Sequence, residues 1–330
     1  MGLGLEALDR LAPQWLKDAA PKALKDRLLS RAYRPRDQLP SYARLEALMA
    51  RYTTDHLVGV GRDEFEGTIH RFLSIDDAAM EGFTDPAAQR DLSIRFQWGH
   101  DHDFGTFFLP GLMRDRHLAL LATFIDRFGA LPRNLDGARV LDVGCWTGGT
   151  SLVLAAMGAR VTAVEEVLKY VECVRYLARS FDVDGLDVRH ASLYDCRGPE
   201  YDDAFEVVLF AGVLYHVTDP VLALRICFNA LADGGWCLVE TANVRSRAPV
   251  LAYDGPSKRE VSAAAGSGAR IATGWNWFRP SSSALTAMMR DVGFEDVVAR
   301  DAVGGRAFAV GRRRRHSDVL RSGLSDPRVR

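Results

Sequence analysis

A chain of 330 residues with 48% hydrophobic and 26% charged side chains is long enough for one sizeable domain and a smaller accessory region. Its net charge of −1 disfavours a protein whose whole surface binds nucleic acid or a membrane. No apolar run reaches the roughly 20 residues that span a bilayer, and the amino-terminal segment lacks the uninterrupted apolar core of a secretory signal, so we expect a cytoplasmic protein with no membrane partner.

Residues 1–95 are predicted to form an accessory helical region. In YARLEALMARYTTDHL and DEFEGTIHRFLSI, apolar residues recur every three or four positions, which gives each helix one buried face. Residues 96–135 are richer in aromatic residues, His and Gly, and end in a predicted helix, LALLATFIDRFGAL. We interpret this second region as a lid or substrate segment followed by a helix.

Strands and helices alternate over residues 136–312, the predicted core. Short connections between them predict a Rossmann-like α/β fold, in which a seven-stranded, mostly parallel sheet has helices on both faces. The predicted strands are ARVLDVG, RVTAVE, LDVRHAS, FEVVLFAG, WCLVETAN, EDVVARDAV and RAFAVGRR. The predicted helices are TSLVLAAMG, VLKYVECVRYLARSF, VLALRICFNAL and SSSALTAMMRDVG. Residues 313–330 form a basic tail that we expect to be disordered.

The cysteines show no pattern typical of disulfide bonds or of a structural metal site. The count is odd and no two cysteines are close in sequence, which disfavours both a disulfide framework and a structural zinc site. We therefore expect buried free thiols and no bound metal. The five residues are Cys145, Cys173, Cys196, Cys227 and Cys237.

The stretch RVLDVGCWTGGTSL has the form of a nucleotide-binding turn between a strand and a helix. A nicotinamide site needs Gly-x-Gly-x-x-Gly, but here the second glycine position holds Trp146. S-adenosylmethionine (SAM) has no pyrophosphate and needs only Gly144 for close approach and Gly148 for the turn into the helix. Asp142 is placed to organise the loop. Glu165 ends the next strand, where its carboxylate can accept hydrogen bonds from both ribose hydroxyls, whereas Glu166 is expected to point away.

Several segments resemble the successive motifs of class I SAM-dependent methyltransferases: VLDVGCWTGGTSL, VTAVEEV, FEVVLFAGVLYHVTDPVLAL and LADGGWCLVET. Within that superfamily, GVLYHVTDP, NWFRPSSSALTAMMRDVGFEDV and GRAFAVGRR resemble the bacterial tRNA wobble-uridine carboxymethyltransferase and its uncharacterised relatives. The resemblance covers residues 96–312 and implies an enzyme that uses SAM. The residues that it assigns to the cofactor are Asp142, Gly144, Trp146, Gly148, Glu165, Ser192, Leu193, Ala211 and Gly212.

The tRNA enzyme holds its carboxylated cofactor with a Lys before the core, the Tyr of the LYH block and an Arg in the last strand. This chain resembles that pattern at Tyr215 and Arg306, but no Lys occurs between Lys25 and Lys169. Because charge-assisted contacts carry much of such recognition, the missing cation favours transfer of a plain methyl group.

Three histidines are candidates for a general base or an orienting group. His216 follows the fourth core strand at the edge of the cofactor site, and His100 and His102 lie in GHDHDFG, where the resemblance implies a lid. The alternatives are a structural role for His216, and for GHDHDFG a polar loop or a metal cluster.

An aromatic stretch, TGWNWFRPSSSAL, offers an acceptor-binding wall with a polar handle. The candidate substrate residues are Trp275, Asn276 and Trp277, together with Tyr215 and Arg306. The alternative is that these aromatic residues only pack a helix on the sheet.

The neutral overall charge favours a small-molecule acceptor. Basic runs at both ends leave an RNA acceptor as the alternative: residues 1–36 hold eight Lys or Arg against four acids, and residues 312–330 hold seven Arg against two. A SAM-binding protein without catalysis is the third hypothesis. The sequence determines neither the acceptor atom nor the oligomeric state.

Overall fold

The computed structural model describes residues 39–75, 96–254, 276–302 and 304–314. Trp275, residues 315–330 of the predicted tail and most of the amino-terminal region lie outside the described residues. Arg313, which we expected in the disordered tail, is instead buried, because its guanidinium donates to the backbone carbonyls of Phe228 and Asn229. Within them, no helix is long and apolar enough to cross a membrane.

The described amino-terminal segment is helical, as predicted. Helix α1 spans Tyr42–Met49 and α2 spans Arg62–Leu73, and α2 buries Phe65 and Ile69, which are one turn apart. The periodic pattern predicts one helix over residues 42–57, but the structure breaks it after a short 3₁₀ turn. Thr53 is extended there (φ −108°, ψ 162°), and a β-branched residue costs little in that conformation.

The predicted lid segment forms a hairpin and then a helix. Strands β1 (His102–Asp103) and β2 (Phe108–Leu109) pair antiparallel, which the sequence did not predict. Helix α3 spans Arg116–Thr123 and continues as a π-helical turn over Phe124–Phe128. Gly129 ends this element in the left-handed conformation (φ 62°), a conformation that glycine adopts without steric cost.

All seven predicted core strands are present and form one sheet. The bounds are β3 Arg139–Val143, β4 Arg160–Glu165, β5 Leu186–His190, β6 Phe205–Ala211, β7 Leu231–Ala242, β10 Glu295–Ala302 and β11 Arg306–Arg312. The order in the sheet is β10-β11-β7-β6-β3-β4-β5, in which β3 to β7 are parallel and β11 runs antiparallel to both neighbours. Strand β7 begins five residues before its predicted start.

Helices cover both faces of the sheet, as predicted. Successive strand residues point to opposite faces, so Val140 joins one apolar layer and Leu141 the other. The remaining helix bounds are α4 Gly149–Ala156, α5 Leu168–Ser180, α6 Pro220–Ala230 and α7 Ser282–Val292. The first layer includes residues of α1, α3, α4 and α5, and the second includes residues of α6 and α7. All five cysteines are buried and unpaired, which confirms the predicted free thiols.

A second hairpin, also not predicted, lies beside the carboxyl end of the sheet. Strands β8 (Leu251–Tyr253) and β9 (Phe278–Pro280) pair antiparallel. The backbone N–H of Trp277, just before β9, donates to the Tyr215 carbonyl at 2.8 Å. This bond connects the predicted aromatic wall to the loop that follows β6.

Candidate cofactor and acceptor site

The carboxyl ends of the parallel strands meet at one edge of the sheet, and the chain order reverses there. Strand β3 pairs with β4 on one side and with β6 on the other. In open α/β sheets, ligands bind in the crevice at such a switch point. The predicted cofactor residues lie at or just after the carboxyl ends of β3, β4, β5 and β6 at this edge.

The turn after β3 requires its glycines. Gly144 and Gly148 have φ values of 73° and 79°, and a Cβ on Gly144 would lie 2.5 Å from Val213 Cγ2. Trp146, between them, also has a positive φ of 53°, which is uncommon for a residue with a Cβ. The turn therefore keeps the two glycines that the sequence singled out and accommodates the bulky residue in a left-handed conformation.

The indole of Trp146 packs against the segment before the core. Its ring centroid lies 5.8 Å from that of His100 and 6.3 Å from that of Tyr170, both edge to face. A Cβ on Gly99 would lie 2.7 Å from the indole, so Gly99 is what allows this close approach. Trp146 thus joins the cofactor turn to the lid segment.

Two carboxylates flank the turn: Asp142 is buried and Glu165 is half-buried. Asp142 accepts hydrogen bonds from Thr150 Oγ1 at 2.8 Å and Ser151 Oγ at 2.7 Å, although burial raises its pKa. Glu165 accepts the backbone N–H groups of Trp146 and Val167, each at 3.0 Å. Burial raises the pKa of Glu165 to about 7, against the lowering effect of those two hydrogen bonds. Each Glu165 oxygen has a further lone pair available for a ribose hydroxyl.

The predicted adenine and sulfonium segments lie at the same edge. Ser192 caps the short 3₁₀ turn that contains buried Leu193, and its hydroxyl also donates to Glu166. Glu166 therefore faces the segment that follows β5. Ala211 ends β6 beside Glu240, and Gly212 continues with φ 77°.

A buried ion network lies next to this edge. Glu240 in β7 is fully buried and accepts hydrogen bonds from Arg306 Nε and Nη2, at 2.5 and 2.7 Å, and from Arg116. Burial alone would raise the pKa of Glu240, but the Arg116 and Arg306 charges outweigh it and lower that pKa. The Arg306 guanidinium also lies 4.8 Å from the Tyr215 ring centroid. The network connects α3, β7, β11 and the loop after β6.

The predicted catalytic histidines have different environments. The His102 ring stacks on Phe104 at 3.8 Å, and its Nε2 lies 2.9 Å from the Tyr52 carbonyl oxygen. Burial lowers the pKa of His102 to about 4. This imidazole holds the β1–β2 hairpin against the segment that follows α1, and its predicted role as a base stays a prediction. His216 lies in the loop after β6, with its ring 3.9 Å from that of Tyr215.

His100 faces the cofactor turn and forms a pair with His117 of α3. The two ring centroids are 4.6 Å apart. Burial lowers the pKa of His100 well below its ordinary value and that of His117 to about 3, so both rings are neutral near pH 7. His117 was not among the residues singled out in the sequence.

The β8–β9 hairpin brings the remaining acceptor candidates to this edge. Asn276 and Trp277 are half-buried just before β9. Besides its bond to Tyr215, Trp277 accepts the backbone N–H of Asp254 at 2.9 Å, and Asp254 forms an ion pair with Arg279 at 2.5 Å. These contacts join the end of β8 to the start of β9 and hold β9 against the loop after β6. Among the described residues, no group of three or more His, Cys, Asp or Glu side chains could hold a metal ion.

Sequence reasoning missed Arg116, His117 and Glu240. A usable signal exists for Glu240, which interrupts the apolar strand WCLVET, since a charge is rarely fully buried unless it is paired. The sequence does not say which cations pair with it. Arg116 and His117 lie at the start of an ordinary amphipathic helix and carry no comparable signal.

Comparisons with known proteins agree with this architecture. A family model described as a methyltransferase domain matches residues 113–299, more than half of the chain. A ubiquinone biosynthesis O-methyltransferase of Xanthomonas campestris pv. campestris is 36% identical over 121 residues, 37% of this chain and 50% of that protein. One from Chromobacterium violaceum is 32% identical over 132 residues, 40% of this chain and 54% of that protein. The chain thus spans about half the length of the curated relatives it matches.

A SAM-dependent methyltransferase from Mesorhizobium loti superposes with a TM-score of 0.44 at 19% identity, over 58% of this chain and 97% of that one. The finer resemblance, to the tRNA wobble-uridine carboxymethyltransferase, stays a prediction, because the curated relatives named above are ubiquinone O-methyltransferases.

Proposed function

The chain belongs to the methyltransferase-domain family, and on that premise we propose that it transfers a methyl group from SAM to a small-molecule acceptor. The observation that carries the proposal is the turn after β3, which keeps Gly144 and Gly148 in left-handed conformations and faces Glu165 at the switch point of the sheet. The similarity to ubiquinone biosynthesis O-methyltransferases supports a small-molecule acceptor.

The residues present fit SAM. Close backbone approach at Gly144 suits the methionine half, which carries no pyrophosphate. The Glu165 carboxylate is held by two backbone N–H groups and suits the ribose diol. Ser192 and Leu193 follow β5 at the same edge and suit the adenine.

SAM supplies an electrophilic methyl group on a sulfonium, so the protein mainly has to hold the acceptor in line with it. Tyr215, Trp277 and Asn276 are our candidates for orienting the acceptor, because one backbone hydrogen bond joins the loop after β6 to the hairpin that carries the other two. His216 is our candidate for removing a proton from a hydroxyl or ammonium acceptor. The ion pair with Glu240 fixes the position of the Arg306 guanidinium, which packs against the ring of Tyr215.

The test is incubation with methyl-labelled SAM and a fractionated extract of the source cells, followed by mass analysis of the labelled product. Label in a small molecule that resists RNase supports the proposal. Label that becomes acid-soluble only after RNase treatment supports an RNA acceptor and contradicts a small-molecule one. SAM binding without transfer to any fraction contradicts an enzymatic role.

A further inference from the structure

The β8–β9 hairpin is too short to hold its own position. Each strand has three residues, and an isolated two-stranded ribbon is at best marginally stable in water. The far end of the hairpin, at Leu251 and Pro280, is tied to the start of α7, where the Ser281 hydroxyl accepts the backbone N–H of Val250 at 3.0 Å. The near end, beside the loop after β6, needs contacts of its own.

A bidentate ion pair lies at the near end. Arg279 opposes Ala252 in the register, so its guanidinium reaches across the ribbon and along it to the carboxylate of Asp254. Nε donates to Oδ2 at 2.5 Å, and Nη2 donates to Oδ1 at 2.9 Å. The Asp254 side chain is 4% exposed and that of Arg279 is 20% exposed. Two parallel charge-assisted bonds that are largely shielded from solvent fix both distance and orientation, unlike a single exposed pair.

The same aspartate also holds the backbone that carries two of the acceptor candidates. The Asp254 N–H donates to the Trp277 carbonyl at 2.9 Å, and the Trp277 N–H donates to the Tyr215 carbonyl at 2.8 Å. The Tyr215 ring in turn packs against the Arg306 guanidinium at 4.8 Å. These contacts form one continuous path from the hairpin to the loop after β6. A displaced Asp254 would therefore move Trp277 relative to Tyr215.

We propose that the Asp254–Arg279 pair positions the acceptor site by fixing Asn276 and Trp277 beside Tyr215. The inference rests on the proposed function, since it requires that the acceptor bind between the hairpin and the loop after β6. Both charged side chains are positioning residues that act through the hairpin backbone, because the Arg279 guanidinium gives its paired N–H donors to Asp254. The pair therefore sets the affinity for the acceptor and has no part in SAM binding, which we place at the turn after β3.

The experiment is a double-mutant cycle on the pair, with Asp254→Asn, Arg279→Gln and the double variant. The probe is the extract fraction that becomes labelled from methyl-labelled SAM, used in a dilution series to find the amount that half-saturates transfer. Each single variant should raise that amount about tenfold, the scale of one hydrogen bond to a charged group, and leave the SAM dissociation constant within twofold by calorimetry. The double variant should raise it no further than the larger single effect, because both substitutions remove the same interaction.

The matched control is Glu206→Gln, which removes the carboxylate from another arginine pair. Arg139 and Glu206 lie 2.7 Å apart near the amino ends of β3 and β6, at the opposite edge of the sheet. We expect the half-saturating amount for this variant to stay within twofold of that for the parent. A tenfold rise in the control would show that the loss of any ion pair has this effect, and would overturn the inference.

Single effects that multiply to about a hundredfold in the double variant would mean that one of the two side chains binds the acceptor directly, which overturns a positioning role. So would single variants that half-saturate like the parent, or that lose SAM binding in the same proportion. A parent that labels no fraction refutes the proposed function instead, and the inference fails with it. If a single variant does not fold, Arg279→Lys decides, since it keeps the charge but not the paired bonds: the half-saturating amount should rise, and an unchanged amount overturns the inference.

Discussion

Replacing Glu165 with Gln should change how the stability of the protein depends on pH. Burial raises the pKa of this carboxyl from 4.5 to about 7 in the folded chain. The folded state therefore binds a proton that the unfolded state has released between these two values. The stabilisation from this group is fully present below about pH 4.5, and it is lost as the pH rises through 7. A shift of this size corresponds to about 3.4 kcal/mol in total, of which about 2.5 kcal/mol falls between pH 5 and pH 8.

The variant has no proton to lose at this position. Gln has one acceptor oxygen for the two backbone N–H groups of Trp146 and Val167, so the substitution lowers the free energy of unfolding. Because Gln does not titrate, that loss is the same at every pH. Urea unfolding of both proteins at pH 5 and pH 8 isolates the titration. From pH 5 to pH 8, the free energy of unfolding of the parent should fall by about 2.5 kcal/mol more than that of Glu165→Gln.

Glu206→Gln is the matched control. The Arg139 hydrogen bonds outweigh partial burial and lower the pKa of Glu206, so its contribution has the opposite sign: it is present at high pH and lost as the pH falls. That contribution is lost only below the ordinary value of 4.5, so it is nearly complete at pH 5, and the difference between the parent and Glu206→Gln should stay flat from pH 5 to pH 8. A parent-minus-variant difference for Glu165 that stays flat, or that rises with pH, would refute the raised pKa of Glu165.

Four further outcomes are expected. Glu240→Ala should destabilise the fold by about 3–5 kcal/mol in urea unfolding, because it leaves the Arg116 and Arg306 guanidiniums buried without their carboxylate; a loss under 1 kcal/mol contradicts this. Arg313→Met should cost about 3 kcal/mol in the same assay, because the guanidinium donates to the backbone carbonyls that end α6, and an unchanged midpoint refutes that role. Ordinary SAM should outcompete its carboxylated form in competition calorimetry, since Arg306 is engaged by Glu240 and no Lys occurs in the sequence between Lys25 and Lys169; a tenfold preference for the carboxylated form, about 1.4 kcal/mol, reverses this. Once an acceptor is known, His216→Ala should lower turnover by about 10²-fold or more at unchanged SAM affinity, and full turnover excludes His216 as the base.

Local sequence patterns determined the core of this protein. The central strands β3, β6 and β7 have runs of apolar residues long enough to be buried, and the helices have a three- or four-residue period, so these elements could be recognised without knowing their neighbours. The turn at Gly144 and Gly148 and the carboxylate of Glu165 are fixed by their distances from strand ends. In a parallel sheet, those ends always meet at one edge. The sheet edge at which we propose that the cofactor binds could therefore be located from the sequence.

Short elements gave no such signal. Strands β1 and β2 are two residues long and β8 and β9 three, too short for an alternating pattern to stand out. They form because their partners are held nearby by the rest of the fold, and only the tertiary structure shows this.

The tertiary structure alone decided which polar side chains meet. His100 and His102 are two residues apart and chemically identical, yet one faces the turn and the other stacks on Phe104. Glu240 is 66 residues from Arg306 and 124 from Arg116, and these three side chains meet only because β11 returns beside β7 and α3 packs over that edge. Pairing across such separations depends on the packing of the whole chain. No local spacing encodes it.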